Sequence, residues 1–526
     1  MCEGIVEELR GIDLGDKRLN RRSQQVMEAL AANPEASVNA ACDGWSDTLA
    51  AYRLFNNDAV TPEQILQPHR KATQRRMREH SVVLIVQDTT ELDFTKHPTN
   101  DARCLNTERR FGLYEHVHLA VTPDKLCLGL VGSEFFDRAS ESLGKADERR
   151  TLPIQDKESF RWLKGYRLAC QLAAEGPPQT QIVSVADREA DIYDIFVEAQ
   201  QQTGPRADYI IRAKEDRSTP ERDPSAGPAA YCKVRDEVSR SKLRATRTVE
   251  LSQTPKRAAR QAYLEIRAIT VQVKPPHARA HLPSVTHNVV LVEEIGGPGD
   301  GTDVSWLLIT TLPIETLDEI LCVIDYYVAR WMVEIYFRTL KTGCRVEDIQ
   351  LETNHRLKNC LAFYKIIAWR ILFLTYLNRT CPKLPCTAVF ADSEWKSVWR
   401  VVKKKPLPKK PPVLSDFLRL LTQLGGYNNR ATETPPGPQP LWIGLRRMTD
   451  FATAWLAFGP QDGSSCVSTT EPCRSATGMP FVHGGRKFAQ PAESDLSIGL
   501  PVTKRQGFGI GMFSKAPHNR VTDFAA

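Results

Sequence analysis

Three acidic residues in this chain stand where carboxylates do chemistry. Asp88 closes the aliphatic run VVLIVQD, and Asp187 closes QIVSVAD in the same way. A short aliphatic run with a polar end reads as a buried strand whose last side chain emerges at the sheet edge. One such aspartate commonly caps the next helix. Two on strands lying side by side would bring their oxygens to the same edge, which suits hard divalent cations. The third carboxylate is Glu334 in YVARWMVEIYFRTLK. At about 100° per residue, Tyr327, Arg330, Glu334 and Lys341 fall within a stripe about 60° wide, with Trp331 and Arg338 beside it. Met332, Val333, Ile335, Tyr336 and Leu340 fill the opposite arc. The spacing therefore predicts one helix with a core side and a side bearing Glu334 among cations and aromatics. Taken alone, that helix reads as a solvated surface with Glu334 supported by Arg330 and Arg338. Its coincidence with two strand-end aspartates favours a site that holds metal ions and phosphates together.

The surrounding elements must position these groups. Residues 1–80 read as helical, with Asn33-Pro34 as a stop and Thr61-Pro62 as a start. From residue 82 onward, aliphatic strands alternate with helical stretches, which implies an α/β core around a central sheet. Residues 214–303 read as a strand-rich insertion, carrying TRTVELSQ, YLEIRAITVQV and NVVLVEE. A long helix is expected from Leu317 to Lys341 and another over 355–378. KKKPLPKKPP, residues 403–412, reads as a basic proline-rich linker. LSDFLRLLTQL and LWIGLRRMTDFATAWLAF read as helices beyond it. Residues 461–526 are rich in Ser, Gly, Pro and Thr without amphipathic periodicity, and disorder is the expectation there.

Composition bounds the partners. With 41% hydrophobic and 25% charged residues over 526, the chain can bury a core, which excludes wholesale disorder. The net charge of +7 says little alone. Its placement says more: basic clusters at Lys17-Arg18 with Arg21-Arg22, from His69 to Arg78, and from Lys403 to Lys410 make a phosphate-tracking surface the expectation. The 13 cysteines are scattered, and CPKLPC has no second pair to complete a zinc site. The start MCEGIVEELRG lacks an apolar run, and LAFYKIIAWRILFLTYL is interrupted by Lys365 and Arg370, so it reads as a core helix. A cytoplasmic protein without a membrane segment is expected.

DTT at 88–90, DREADIYD at 187–194 and Y-x2-R-x3-E-x6-K at 327–341 closely resemble the DDE transposases of cut-and-paste insertion sequences, of the IS-four and Tn-five type. The last of these is similar to that family's YREK signature. LGDKRLNRR, AYRLFNN, GLYEHVHLAV, LGGYNNR and LWIGLRRMTD extend the resemblance over roughly residues 10–460. It implies a ribonuclease-H-like catalytic core at 81–380, interrupted by the β-rich insertion. A helical DNA-end-binding domain at 1–80 and a helical dimerisation region at 381–460 would flank it. It further implies Asp88, Asp187 and Glu334 as ligands of two Mg²⁺ ions, with Mn²⁺ a plausible substitute. Cleavage and strand transfer on double-stranded DNA would follow, through a hairpin, with the element's terminal inverted repeats and a target as substrates and a homodimer as the working unit. Arg330 and Lys341 would hold phosphates, Tyr327 would contact backbone, and Arg338 would face the DNA. Arg212 and Lys214 resemble basic positions that contact end DNA, against the alternative of an ordinary strand end. Trp306 matches an aromatic that receives a flipped base, against the alternative of a core tryptophan. His116 matches a family position and shares a strand face with His118; metal ligation and a polar or structural sheet face are the alternatives there. A transposase-derived DNA-binding protein without catalysis, or a nuclease without strand transfer, would carry the same motifs.

Overall fold

The computed structural model describes residues 2–42, 44–136, 152–220, 232–251, 253, 258–428, 430, 436–460 and 521–522. The fold is mixed α/β, with one large sheet and helical regions before and after it. Strand β1 (Val82–Asp93) lies inside the sheet, and its run from Val83 to Gln87 is buried. On one side it pairs antiparallel with β3 (Phe111–Val121), which carries β2 (Arg103–Cys104) and β4 (Cys127–Phe136). On the other side β5 (Gln181–Ala186) and β6 (Asp208–Arg212) run parallel to it. A parallel neighbour needs a crossover. The helix Tyr193–Gln201 supplies the one between β5 and β6.

The strand-rich stretch expected as an insertion is a direct continuation of this sheet. Strands β7 (Leu243–Leu251), β8 (Arg260–Val273) and β9 (Val285–Glu294) form an antiparallel meander. β9 pairs along its length with β10 (Ser305–Thr310), and β10 pairs with β6. Open backbone groups at the β6 edge are thereby satisfied, which is the demand every sheet edge makes. The sheet order is β7-β8-β9-β10-β6-β5-β1-β3-β2, with β4 also on β3. The expectation for 461–526 lies outside the described residues, apart from Val521–Thr522, which pair with β7.

The long helix expected from Leu317 to Lys341 is broken in two places. It runs as Leu317–Ala329 and then Met332–Arg338, followed by a π turn at Thr339–Gly343. At the first break the Arg330, Trp331 and Val333 amides donate to carbonyls three residues back, a tightening of the helix. A straight helical wheel therefore misplaces the side chains on either side of Arg330.

Asn354–Thr380 is long and apolar enough to cross a membrane, yet 94% of its most apolar window is buried inside the fold. It packs on β4 and on the helix Pro62–Met77. Its two buried charges are answered inside the protein. Lys365 donates to Glu115 on β3 at 2.8 Å and to Ser133 at 2.7 Å, with its ammonium 3.7 Å from the Phe135 ring. Arg370 donates to the Val389 carbonyl. The same helix fastens the N-terminal helices. The Asn359 amide donates to the Phe55 and Val60 carbonyls, and Arg356 donates to Asn56. Glu8 accepts from both Arg76 and His69, and Arg76 lies over the Trp369 ring at 4.5 Å. His69 Nε2 accepts the Leu130 amide, so Nδ1 carries the proton donated to Glu8 and the ring is neutral. Burial opposes the Glu8 charge, but the His69 bond and the Arg76 cation outweigh it and hold the carboxyl down at about 2.

Candidate active site

Register places the two aspartates. Val86 on β1 lies opposite Val185 on β5. Two residues further along each parallel strand come Asp88 and Asp187, at the same level. Asp187 lies just past the end of β5, whereas β1 continues to Asp93 in register with β3, so Asp88 stands within its strand and not at the end that the aliphatic run suggests. Ala186 lies opposite Ile211 on β6, which brings Arg212 beside Asp187. Asp187 turns the chain into a short 3-10 helix, its carboxylate accepting the Glu189 amide at 2.8 Å. Glu334 arrives from the Met332–Arg338 helix, which packs on β1.

Arg330 stands between two of the three carboxylates. Its guanidinium donates to Asp88 Oδ2 at 3.1 Å and to Glu334 Oε1 at 2.6 Å. Asp88 Oδ1 accepts the Thr89 amide, while Glu334 Oε2 is buried with no hydrogen-bond partner. Burial drives the Asp88 carboxyl up to about 7; Arg330 opposes this, and the charges of Glu334 and Asp187 add to it. Glu334 is likewise raised, by burial first and by Asp187 as well, against the pull of Arg330. Burial disfavours the Arg330 cation, yet Glu334, Tyr327, Asp88 and Asp187 hold its pKa above the ordinary value. The cluster thus has more negative charge than its cation fully offsets, in a place poor in water. Among the described residues no three His, Cys, Asp or Glu side chains are gathered at metal-ligand spacing. The Arg330 guanidinium instead bridges Asp88 and Glu334.

Other expected site residues divide. Tyr327 is buried against Arg330; burial raises its pKa, partly countered by the Arg330 and Arg212 cations. Trp306 is buried edge-on to Tyr327, centroids 5.1 Å apart, and Arg212 also donates to the Ser305 carbonyl. These groups join the carboxylates. Lys341 lies further off, 3.7 Å from Glu347, whose carboxylate accepts the Asp93 amide at the far end of β1. Arg338 and Lys214 are exposed. The Lys214 amide is held by Asp191, a carboxylate inside the DREADIYD run.

His116 is explained by bonds that sequence spacing alone does not expose. Its Nε2–H donates to Gln87 Oε1 at 3.2 Å, and its Nδ1 accepts from Thr89 Oγ1 at 2.8 Å. Arg161 donates to the same Thr89 oxygen, and Gln87 donates to Ser184 on β5. This tautomer follows from the network, since a Gln carbonyl oxygen can only accept. Both ring nitrogens are thus engaged, and burial pushes the His116 pKa well below the ordinary value. The structural alternative holds: His116 braces the residues flanking Asp88. Gly165 lets the helix Phe160–Glu175 approach this network, because a Cβ there would lie 2.1 Å from Gln87 Oε1 and 2.5 Å from His118 Nε2.

Comparison with known families bears on the flanks of this site. Residues 1–60 match the family described as Transposase DNA-binding, and residues 366–457 match the Transposase Tn5 dimerisation domain. The second match begins inside the helix Asn354–Thr380, ahead of the boundary expected at 381, and takes in the helices Asp392–Lys403, Leu414–Leu424 and Pro438–Phe458. All three carboxylates lie between the matched spans.

Proposed function

We propose that the chain, with flanks that match the DNA-binding and dimerisation modules of Tn5-type transposases, works as a transposase of the Tn5 and IS4 type and that Asp88, Asp187 and Glu334 are its DDE catalytic triad. The observation that carries this reading is the convergence of Asp88 from β1 and Glu334 from a helix on β1 upon one partly buried arginine, with Asp187 at the same level on β5 and within electrostatic reach of all three. The same placement supports a ribonuclease-H-like core over 81–380. Residues 1–80 then bind the element's ends and 381–460 pair the subunits.

By donor chemistry, the three carboxylates suit a divalent metal. All three donors are hard oxygens, one oxygen, Glu334 Oε2, is buried without a partner, and the Asp88 carboxyl is pushed up by burial first and then by the charges of Glu334 and Asp187. Asp88, Asp187 and Glu334 would hold Mg²⁺, or Mn²⁺ in its place. When bound, two such ions supply an activated oxygen nucleophile and stabilise the leaving oxygen of an in-line phosphoryl displacement. Arg330 supplies a fixed planar cation for a phosphate beside the scissile bond. Tyr327 and Arg212 line the same side, and Lys341, Lys214 and Arg338 extend cationic contact outward. His116, through Thr89 and Gln87, keeps the stretch of β1 around Asp88 in place.

A supercoiled plasmid carrying labelled element ends tests the reading. Mg²⁺-dependent excision with joined product is the expected result. Cleavage without joining would make the protein a nuclease, and binding without cleavage a DNA-binding remnant.

Excision by one active site per end is explained by a hairpin, in which the freed 3′-hydroxyl attacks the opposite strand. Trp306 is the proposed acceptor of a flipped base. Because its indole is covered by Tyr327, base entry requires that pair to part. Trp306→Ala is expected to nick at the wild-type rate and to form hairpins at least about tenfold more slowly, a loss on the scale of one stacking contact. Denaturing gels resolve the two steps. Hairpins at the wild-type rate would make Trp306 a core tryptophan only.

Pairing is expected to use the end of the helix Pro438–Phe458, where Leu456 is 73% and Phe458 90% exposed. A Leu456→Asp variant should sediment with fewer paired complexes on end DNA, since a charge there opposes apolar burial. Unchanged sedimentation would place the pairing surface elsewhere.

A further inference from the structure

The basic proline-rich stretch at 403–412 is a pinned loop, contrary to the free linker its composition suggests. Lys404, in the left-handed region at φ 53°, closes the helix Asp392–Lys403. The Trp399 indole N–H then donates to the Pro406 carbonyl at 3.0 Å, and Arg400 donates to the Lys405 carbonyl at 3.3 Å. At the far end the Cys386 amide donates to Pro412, and the Leu414 amide donates to Leu384. Pro406, Pro408, Pro411 and Pro412 restrict the backbone between these ties.

This frame presents Lys403, Lys404, Lys405, Lys409 and Lys410, all exposed. Among the described residues none of the five forms an ion pair, and no acidic residue occurs in the sequence between Glu394 and Asp416. Lys383, also exposed, sits on the segment to which the loop is tied. Like charges held close together by a stiffened backbone repel one another, and a polyanion relieves that repulsion.

Resting on the transposase reading above, we propose that this loop binds the target duplex during strand transfer. Its chemistry selects that DNA over the element's ends. Lysine ammonium groups are point charges that contact phosphates and carry no sequence information. The matched DNA-binding module at 1–60 is a separate surface that can read the ends. The loop also lies within the dimerisation module, so a twofold pair presents two copies, one for each strand-transfer event on a single target.

The test uses the full chain with all five lysines changed to Gln, and a companion with all five changed to Arg. Binding to a duplex without the element's ends is measured against salt, without catalysis. The slope of log K against log salt should flatten by about 0.9 for each phosphate that the Gln variant no longer neutralises, and the Arg variant should keep the wild-type slope. Strand transfer into a plasmid should fall at least about tenfold with Gln, as expected when several phosphates go unneutralised, while end cleavage stays at the wild-type level. An unchanged salt slope with unchanged strand transfer overturns the proposal. So does an equal fall in end cleavage, which would put the loop on the element's own DNA. Should the wild type fail to cleave at all, the catalytic reading fails by itself, and the salt slope still reports on the loop.

Discussion

Glu334→Gln is expected to bind end DNA within about twofold of the wild type, because phosphate contacts elsewhere dominate affinity. The same variant should lose at least about a thousandfold in Mg²⁺-dependent cleavage, the scale of removing one ligand charge from a metal-assisted phosphoryl transfer. The amide keeps the shape of the carboxylate, and its oxygen still accepts from Arg330. A further outcome follows from the electrostatics. The pKa of Glu334 is raised by burial and by Asp187, so the folded protein resists its negative charge. Removing that charge should leave Tm unchanged or higher while activity disappears. Gel mobility, cleavage time courses and thermal melts separate the three quantities. Wild-type cleavage by the variant would remove Glu334 from the triad.

The largest stability effect is expected at the buried pair Glu115–Lys365. Both side chains are at most 1% exposed. Burial lowers the Lys365 pKa, and Glu115 pulls it back up. Lys365→Met leaves a buried carboxylate with only the Ser133 hydroxyl to answer it. Removing one partner of such a pair costs roughly 3–5 kcal/mol. Changing both partners, Glu115→Leu with Lys365→Met, should recover most of that loss, because the double change strands no charge. Denaturant melts of the two variants measure the difference. Equal destabilisation of single and double variants would show that packing around Phe135, and not charge, governs this spot.

Much of the site could be read from local pattern, and what could not depends on pairing across the chain. Asp88 and Asp187 stand out because an aliphatic run stops at each, although only β5 ends there: β1 goes on to Asp93, held by its pairing with β3, which the sequence does not display locally. Their common level rests on the Val86–Val185 register, which joins segments about a hundred positions apart and leaves no local trace. Glu334 was legible, but its partner geometry was not. A wheel drawn through residues 327–341 assumes a straight helix, whereas the tightening at Arg330 aims that side chain back between Asp88 and Glu334. The His116 ambiguity dissolves only when Thr89 and Gln87 are brought beside it. The continuation of the sheet through β9 and β10 was hidden for the same reason. The helix Asp392–Lys403 did carry a signal, since Trp395, Val398, Trp399 and Val402 recur at helical spacing. The lysine run directly after it obscured that pattern.

The bonds that fasten the N-terminal helices to Asn354–Thr380 make the protein a measuring instrument. Glu8, Phe55, Asn56 and Val60 all lie in the span 1–60, and each is held by Arg76, Asn359 or Arg356. The module matched to DNA-binding families is therefore fastened directly to the part of the fold that carries the carboxylates, among the described residues. On duplex DNA, one added base pair moves a bond by about 3.4 Å along the axis and turns it by roughly a tenth of a revolution. A rigid reader and cutter accept only one such offset, in both length and angle. On the proposed reading, the position of the cut would be encoded in the protein's own dimensions, and a substrate with its recognised sequence shifted by a single step would present the wrong face of the helix.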